Sequence, residues 1–347
     1  MVFIGRSATP IFGLLLLRLL TGCGSVDQTP VEPIAVENFI KNPTKSSFQL
    51  SPDGSRYAYL ASDAGHQRIF VVELASDQTL CLTSKLESDV GDYLWADSGT
   101  LLYQQTSPED SCDKIFRVRI DQTDSACLTE ENDMNFRLVR SSQGRSERMV
   151  IAVSAAGDRV WEPHWLDWRS AETERISRNP GTINEWLLDH EGQGVIAVSE
   201  QGCDTHILYR AAGDAGFLPV LTYDNVDDYF RPVCFSPDNR NVYAYSNLGR
   251  DLIALVEYDL SANVESRVLF QDPEHDLFGD DEVDRVGYSR TSNRLAYAFY
   301  TSWRRTYHFF DEHYRDVVSK LEDRFDDHVI RLVSSNDAED RHIVKIS

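Results

Sequence analysis

One hairpin-forming stretch occurs twice in this chain, and its recurrence constrains the fold more than any other feature. In the first copy, Phe48–Ala61, apolar residues alternate with polar ones on both sides of Ser51-Pro52-Asp53-Gly54. Such alternation indicates half-buried strands, and the Pro-Asp-Gly sequence favours a tight turn between them. The second copy, Cys234–Tyr245, has the corresponding turn Ser236-Pro237-Asp238-Asn239. Two copies of one hairpin indicate a repeat protein.

Weaker copies of the hairpin recur at a nearly constant spacing. Their turns fall at residues 51, 97, 142, 190, 236, 289 and 334, so the successive steps are 46, 45, 48, 46, 53 and 45 residues. The outer parts of the repeats recur as well, since Leu80-Cys81-Leu82-Thr83 and Ala126-Cys127-Leu128-Thr129 lie 46 residues apart. The chain therefore contains seven starts of one repeating unit.

This repeat predicts the fold class. A period of about 40–50 residues with several short strands per repeat is typical of the blades of a β-propeller. We therefore predict an all-β protein, a seven-bladed β-propeller whose seventh blade is incomplete because the sequence ends at Ser347, where the second strand of that blade begins. A pair of β-sandwiches is the alternative, but it would not explain six evenly spaced steps.

One segment departs from the strand pattern. Between Phe310 and Phe325, apolar residues stand at positions 310, 314, 317, 321 and 325, which are steps of four, three, four and four. This spacing predicts an amphipathic helix of about four turns inserted in the sixth blade. The helix either covers a blade edge or packs against a neighbouring domain.

Residues 1–22 have the pattern of a lipoprotein-type signal peptide. Arg6 precedes the apolar run Ile11–Leu17, which is too short to span a bilayer, and the segment leads into Leu20-Thr21-Gly22-Cys23. These four residues resemble the bacterial lipobox, in which the cysteine becomes the lipidated first residue of the mature chain. Cys23 is therefore the predicted lipidation site. The alternative is a plain cleaved signal with an incidental cysteine.

Residues 23–36 form a polar, proline-containing segment without periodicity, which is typical of a flexible tether. With a lipid anchor at Cys23, this segment predicts a periplasm-facing lipoprotein of the bacterial cell envelope. Gly24, and not an aspartate, stands directly after the cysteine. By the usual sorting pattern of lipoproteins, this favours the outer membrane.

The charge balance argues against one class of partner. The chain has 34 Lys and Arg residues against 56 Asp and Glu residues, which gives a net charge of −22 at pH 7. Such an acidic protein is repelled by nucleic acids and by anionic membrane surfaces. We therefore expect no nucleic-acid partner.

The remaining cysteines do not suggest a disulfide framework. They are Cys81, Cys112, Cys127, Cys203 and Cys234. Cys81 and Cys127 occupy equivalent strand positions of successive repeats, so we interpret both as buried small apolar residues. An exported compartment permits disulfides, but the spacing is wide, and we predict no essential disulfide.

The sequence shows no motif that carries chemistry. It has no Gly-x-Ser-x-Gly elbow, His-Glu-x-x-His pair, phosphate-binding loop or Gly-x-Gly-x-x-Gly fingerprint. The acidic run Asp276–Asp284 lacks the alternating oxygen ligands of a calcium loop, so a solvated loop between blades is the better interpretation. His308 and His313 are five residues apart and do not share a helix face. We assign no catalytic, cofactor-binding or metal-ligating residue and expect no cofactor.

A series of stretches in a fixed order resembles a known family. These stretches are Val36–Pro43, Ser46–Gly54, Asn184–Gly192, Ser246–Asp251, His308–Asp311 and Ser334–Asp340. The series resembles the N-terminal propeller of the prolyl oligopeptidase family of serine peptidases, of the exported bacterial dipeptidyl- or acylaminoacyl-peptidase type. The resemblance covers about residues 36–347, and the order of the stretches is more specific than the turn motif, which many propellers share.

The resemblance implies a function for residues 37–347. In that family a seven-bladed propeller caps an α/β-hydrolase domain that follows it in sequence, and the propeller limits access to short peptides. The catalytic Ser, Asp and His lie in the hydrolase domain, which this sequence lacks, so no catalytic residue is carried over. We expect a fragment that gates substrates and is inactive alone. The implied partners are short peptides, the hydrolase domain of a longer chain, and the membrane through Cys23.

The alternative function belongs to a different class. A stand-alone propeller lipoprotein could bind peptides or other envelope proteins without chemistry. A binding module of that kind is expected to close its seventh blade, which this sequence does not do. A self-sufficient hydrolase is a third hypothesis, but it requires a nucleophile motif that the sequence lacks.

Overall fold

The computed structural model describes residues 44–347, except for residues 87, 110, 123, 140–147, 214–215 and 278–285. The predicted signal peptide, the lipidation site Cys23 and the tether therefore lie outside the described residues. So do the stretch Val36–Pro43 and most of the acidic run 276–284.

The described residues form seven antiparallel sheets, numbered here in chain order. The first three sheets are β1–β4 (Lys45–Leu50, Arg56–Asp63, His66–Glu73, Gln78–Cys81), β5–β8 (Val90–Asp97, Thr100–Thr106, Asp113–Arg119, Ser125–Cys127) and β9–β12 (Met134–Leu138, Arg148–Ala155, Glu162–Asp167, Thr173–Arg175). The other four sheets are β13–β16 (Ile183–Leu188, Val195–Gln201, Asp204–Arg210, Leu218–Asp224), β17–β20 (Phe230–Phe235, Asn241–Ser246, Ala254–Asp259, Val264–Phe270), β21–β23 (Val286–Ser289, Arg294–Thr301, Arg305–Phe309) and β24–β25 (Ile330–Ser335, His342–Ile346).

The sheets are arranged as in a propeller. Within each sheet, strands that follow one another in sequence pair with one another. The first strands of neighbouring sheets are in contact, since β1 contacts β5, β5 contacts β9 and β13 contacts β17. The last sheet returns to the first, because β24 and β25 both contact β1. The predicted all-β propeller is therefore confirmed, with first strands innermost and fourth strands at the rim.

The structure shows six blades rather than the predicted seven. Six sheets have three or four strands and form six blades, whereas the last sheet has only the two strands β24 and β25. We call this two-stranded sheet the final hairpin. Among the described residues, no third strand pairs with β25. The sequence overestimates the count because the repeated turn marks only the first hairpin of each unit, and a blade also needs the strands that follow.

The core is built mainly on the second strands of the blades. Each second strand has a pairing partner on both sides, and neighbouring blades cover its two faces, so most side chains in the middle of the strand are removed from water. Fully buried side chains on these strands, each with an exposed fraction of 0%, are Ala58, Leu101, Ile151, Ile196, Val242 and Ala296.

The predicted helix is confirmed as α1 (Glu312–Arg324). Asp311 is its N-cap, and the carboxylate accepts a hydrogen bond from the backbone N–H of His313 at 2.9 Å. The helix contacts β23 and β24 and buries Tyr314 and Val318. It follows β23 at the point where the other blades have their fourth strand, which is why the sixth blade has three strands.

Candidate functional site

Two of the hairpin turns that define the repeat are each built around a buried serine. The hydroxyl of Ser51 accepts a hydrogen bond from the backbone N–H of Arg56 at 2.9 Å and donates one to the carboxylate of Asp53 at 2.7 Å. Ser236 makes the two equivalent bonds at 3.0 and 2.7 Å. Both serines are buried. The Ser-x-Asp pair therefore builds the turn, and its function is structural.

The sixth blade obtains the carboxylate for its turn from another sheet. Thr291 stands where the two turns just described have Asp53 and Asp238, and Glu339, in the turn after β24, supplies the carboxylate instead. The carboxylate of Glu339 accepts hydrogen bonds from the hydroxyls of Ser289 and Thr291, both at 2.7 Å, and from the backbone N–H of Arg290 at 2.8 Å. The side chain is 5% exposed. The turn of the final hairpin is thereby fixed to the sixth blade.

The same turn also contacts the first blade. We call residues Asn336–Arg341 the closing turn. Arg341 donates a hydrogen bond through Nη1 to the carbonyl of Gly54 at 2.7 Å, and the backbone N–H of Asp337 donates one to the carbonyl of Pro52 at 2.9 Å. The closing turn therefore joins the sixth blade to the first and completes the ring.

Two histidines lie beside the closing turn. His313 of α1 bonds through Nε2 to the carbonyl of Glu339 at 2.7 Å. His342 bonds through Nδ1 to the hydroxyl of Ser335 at 2.8 Å, while its Nε2 is buried without a hydrogen-bond partner. The centroids of the two imidazole rings are 5.6 Å apart. Burial lowers the pKa of His342, and the neighbouring His313 lowers it further.

Charged side chains stand on several of the innermost strands. Arg231 of β17 pairs with Glu185 of β13 at 3.1 Å, and both side chains are partly exposed. Arg137 of β9 is exposed, and its guanidinium carbon lies 4.0 Å from the ring centroid of Trp161. A ligand that enters along the propeller axis would meet these strands first. They are the candidate binding surface.

A cluster of a carboxylate and aromatic rings lies between the fifth and sixth blades. Asp272 accepts a hydrogen bond from the hydroxyl of Tyr300 at 2.7 Å and two more from the backbone N–H groups of Glu274 and His275 at 2.9 Å. The Tyr300 bond contributes most to lowering the pKa of Asp272 to about 2. His308 stacks on Phe270 with 3.8 Å between ring centroids, and burial lowers its pKa. These three donors already satisfy the carboxylate of Asp272. We therefore interpret the cluster as structural, holding the loop after β20 in place.

His308 and His313, the two histidines considered from the sequence, have separate partners in the structure. His308 packs on Phe270 and His313 bonds the closing turn, so the two do not share a ligand. In the part of the chain that the structure describes, no group of three or more His, Cys, Asp or Glu side chains is placed to hold a metal ion. Within the same residues, no helix has the length and apolar character needed to cross a membrane.

The five cysteines of the described region are free thiols. Cys112 and Cys234 are buried, as a small apolar residue would be. Cys81 and Cys127 are only partly buried, which corrects the interpretation from the sequence. They lie on the short fourth strands β4 and β8 at the rim, where one side of the strand has no neighbour.

Comparison with known proteins finds a relative in sequence. No protein-family model matches the chain. The Caenorhabditis elegans protein "Dipeptidyl peptidase family member 6" is 22% identical to it in an alignment of 275 residues that covers 74% of this chain and 36% of that protein. The chain thus spans about a third of the length of this relative.

Solved structures share the fold. Dipeptidyl peptidase 4 of Porphyromonas gingivalis matches with a TM-score of 0.50 and 11% identity, over 78% of this chain and 45% of that one. An oligogalacturonate lyase of Vibrio parahaemolyticus also matches with a TM-score of 0.50, at 10% identity, over 67% of this chain and 69% of that one. At these identities the likeness shows the propeller fold alone. The chain resembles the propeller portion of the prolyl oligopeptidase family in sequence, through the Caenorhabditis elegans relative, and in fold.

Proposed function

We propose that this chain is the substrate-gating propeller of an exported serine peptidase of the prolyl oligopeptidase type. The similarity to the nematode dipeptidyl peptidase relative over 74% of the chain carries the proposal. Two stretches of the sequence resemblance, Ser46–Gly54 and Ser334–Asp340, meet where the closing turn bonds the first blade. In this role the propeller admits short peptides, and the chemistry resides in an α/β-hydrolase domain outside residues 44–347.

We propose further that the final hairpin is the beginning of a seventh blade. It lies between the sixth and first blades, as every blade of a ring lies between two neighbours. Its second strand, β25, is only partly buried, and Ile346 is 36% exposed, whereas the second strands of the six blades are buried. Two more strands beside β25 would cover it and would remove an open sheet edge, which is otherwise prone to pair with other chains.

The size of the native protein tests the gating role. We expect antibodies against the propeller to detect, in the cell envelope, a species larger than 39.5 kDa by roughly one hydrolase domain. That species should react with a fluorophosphonate probe for active serines and cleave dipeptidyl or acylaminoacyl substrates. A species near 39.5 kDa without probe labelling would overturn the proposal and favour a binding module.

For the location, we propose a lipoprotein anchored at Cys23, with residues 23–36 as its tether, in the outer membrane. The support is the sequence pattern at residues 1–24. Labelling with a palmitate analogue should mark the wild-type protein and not a Cys23→Ser variant, which should appear in the soluble envelope fraction. Equal labelling of both proteins would contradict lipidation at this residue.

A stand-alone module that binds peptides is the second candidate. The observation that favours it is the set of exposed charges on the innermost strands, Arg137 and the Glu185–Arg231 pair. Under this hypothesis, Arg137→Ala should weaken binding of acidic peptides to the full chain. Arg267→Ala, on rim strand β20, should leave binding unchanged, because this arginine is exposed at the outside and pairs with Glu257. Equal binding by both variants would rule out the innermost strands as the site.

A further inference from the structure

His342 lies beside the contact between α1 and the closing turn, and its buried ring accommodates a positive charge poorly. We call this contact, with His342, the joint. In neutral His342, Nδ1 shares a hydrogen bond with the hydroxyl of Ser335, and the buried Nε2 needs no partner because it then carries only a lone pair. A second proton would give both ring nitrogens an N–H group. We propose that this joint is a pH-sensitive latch, which loosens the final hairpin from α1 and the sixth blade when His342 takes up a proton.

The carbonyl of Glu339 explains why protonation would act on the helix. This carbonyl favours the proton on His342, but it already accepts a hydrogen bond from His313 of α1 at 2.7 Å. The charged His342 would therefore compete with His313 for one acceptor. If His342 takes the carbonyl of Glu339, α1 loses the hydrogen bond from His313 to the closing turn. If it does not, an N–H group stays buried without a partner, which is costly.

The groups around His342 have opposite effects on its protonation. From α1, His313 and the ring of Tyr314 face His342, with ring centroids 5.6 and 5.8 Å away. A second positive charge on His313 would repel a charged His342. From the closing turn, the carboxylates of Glu339 and Asp340 favour the charged form. Burial and His313 outweigh them, so the pKa of His342 lies below its ordinary value of 6.5.

The direction of the pH effect follows from this shift. A loosened joint hydrates His342 and lets it take up a proton more readily than the closed joint does. The closed state is therefore fully favoured above about pH 6.5 and becomes less favoured as the pH falls below this value. Loosening also affects the contact with the sixth blade, because the Glu339 carboxylate makes three hydrogen bonds there. This latch does not depend on the proposed peptidase role.

Hydrogen exchange of the full chain tests the latch. We would compare amide protection at pH 7.5 and pH 5.5, corrected for intrinsic exchange, in peptides from Glu312–Arg324 and His342–Ile346. We expect a several-fold loss of protection in both segments at pH 5.5, with β2 of the first blade unchanged. His342→Gln should abolish the pH dependence, because it remains neutral. His66→Gln is the matched control, since His66 is a partly exposed histidine of the first blade that pairs with Asp89.

Two results would overturn the proposal. One is equal protection of α1 and β25 at the two pH values in the wild-type chain. The other is a His342→Gln variant that keeps the wild-type pH dependence. If that variant does not fold, an NMR titration of the His342 ring in the wild-type chain decides the question. A midpoint below 6.5 supports the latch, and a midpoint at or above 6.5 contradicts it.

Discussion

At the scale of single residues, close approaches between blades leave no room for a side chain at certain positions. Gly192, in the turn after β13, has a φ of +68°, and a Cβ there would lie 2.1 Å from Cζ2 of Trp165 in the third blade. An L-residue would be strained in this conformation and would also collide with the ring. The packing of the third blade on the fourth therefore depends on a glycine.

Replacement of Gly192 tests this dependence. Gly192→Ala should lower the free energy of unfolding by about 2–5 kcal/mol, the sum of backbone strain and overpacking, as measured by urea denaturation. Gly65→Ala is the control, because Gly65 has a φ of +87° but a Cβ added there would meet no heavy atom within 4 Å. It should cost only about 1–2 kcal/mol. If both variants lost the same free energy of unfolding, the Trp165 ring would be able to move away at little cost.

Asp272 should make stability depend on pH in the acid range. Its pKa is lowered from 3.8 to about 2, chiefly by the hydroxyl of Tyr300. A carboxylate with a depressed pKa stabilises the fold above the pKa of the unfolded chain, and this contribution is lost as the pH falls from about 4 towards 2. Asp272→Asn should therefore cost about 1–2 kcal/mol at pH 7, and the difference from the wild type should shrink below about pH 4. In urea denaturation across this pH range, the exposed Asp316→Asn variant should show neither effect.

At the scale of elements, two rim strands carry features that hinder further pairing. β16 and β20 have seven residues each and expose Leu218, Val264 and Val268. Long apolar edges invite pairing with other chains. Pro219 in β16 lacks an N–H donor, and the pairing of β20 with β19 shifts register between Glu257 and Tyr258. Such irregularities twist an edge away from partners.

The start of α1 offers a test at this scale. Asp311→Ala removes the N-cap acceptor and the ion pair with Arg294 at 3.0 Å, so it should lower the free energy of unfolding by about 1–2 kcal/mol. Asp311→Asn keeps a capping oxygen and loses only the charge. Because the Arg294 side chain is 57% exposed, that loss should stay below about 1 kcal/mol. If urea denaturation gave equal values for the two variants, the cap would not be the main contribution.

The sequence predicts the elements well where the signal is local. The repeated Leu-Thr stretches are an example: the hydroxyls of Thr83 and Thr129 accept hydrogen bonds from the N–H groups of Ile69 and Ile115, both at 2.9 Å, 46 residues apart. The helix is likewise evident from its apolar spacing. The role of Glu339 is not, because its partners lie about 50 residues away and no local pattern marks them.

At the scale of the whole molecule, closure of the ring depends on a few polar contacts of the closing turn. Arg341→Ala removes the bond to Gly54 and should cost about 1 kcal/mol, which is roughly a fivefold change in a local opening equilibrium. We expect thermolysin to cleave residues 325–347 about fivefold faster, with the first blade unaffected. Arg240→Ala, at a side chain that is 84% exposed in the fifth blade, should change nothing measurable. Faster cleavage throughout the chain would point to general destabilisation.

The final hairpin also fixes when the ring can close. The hydroxyl of Ser334 accepts a hydrogen bond from the backbone N–H of Leu50, and these two residues are 284 positions apart in sequence. Contacts at such separation form late, because the intervening chain must be ordered first. While the chain emerges, the early blades would form an open arc, with one side of the first blade uncovered until the final hairpin follows. The period of greatest risk of misassembly is therefore set by how fast residues 330–347 follow the first blade.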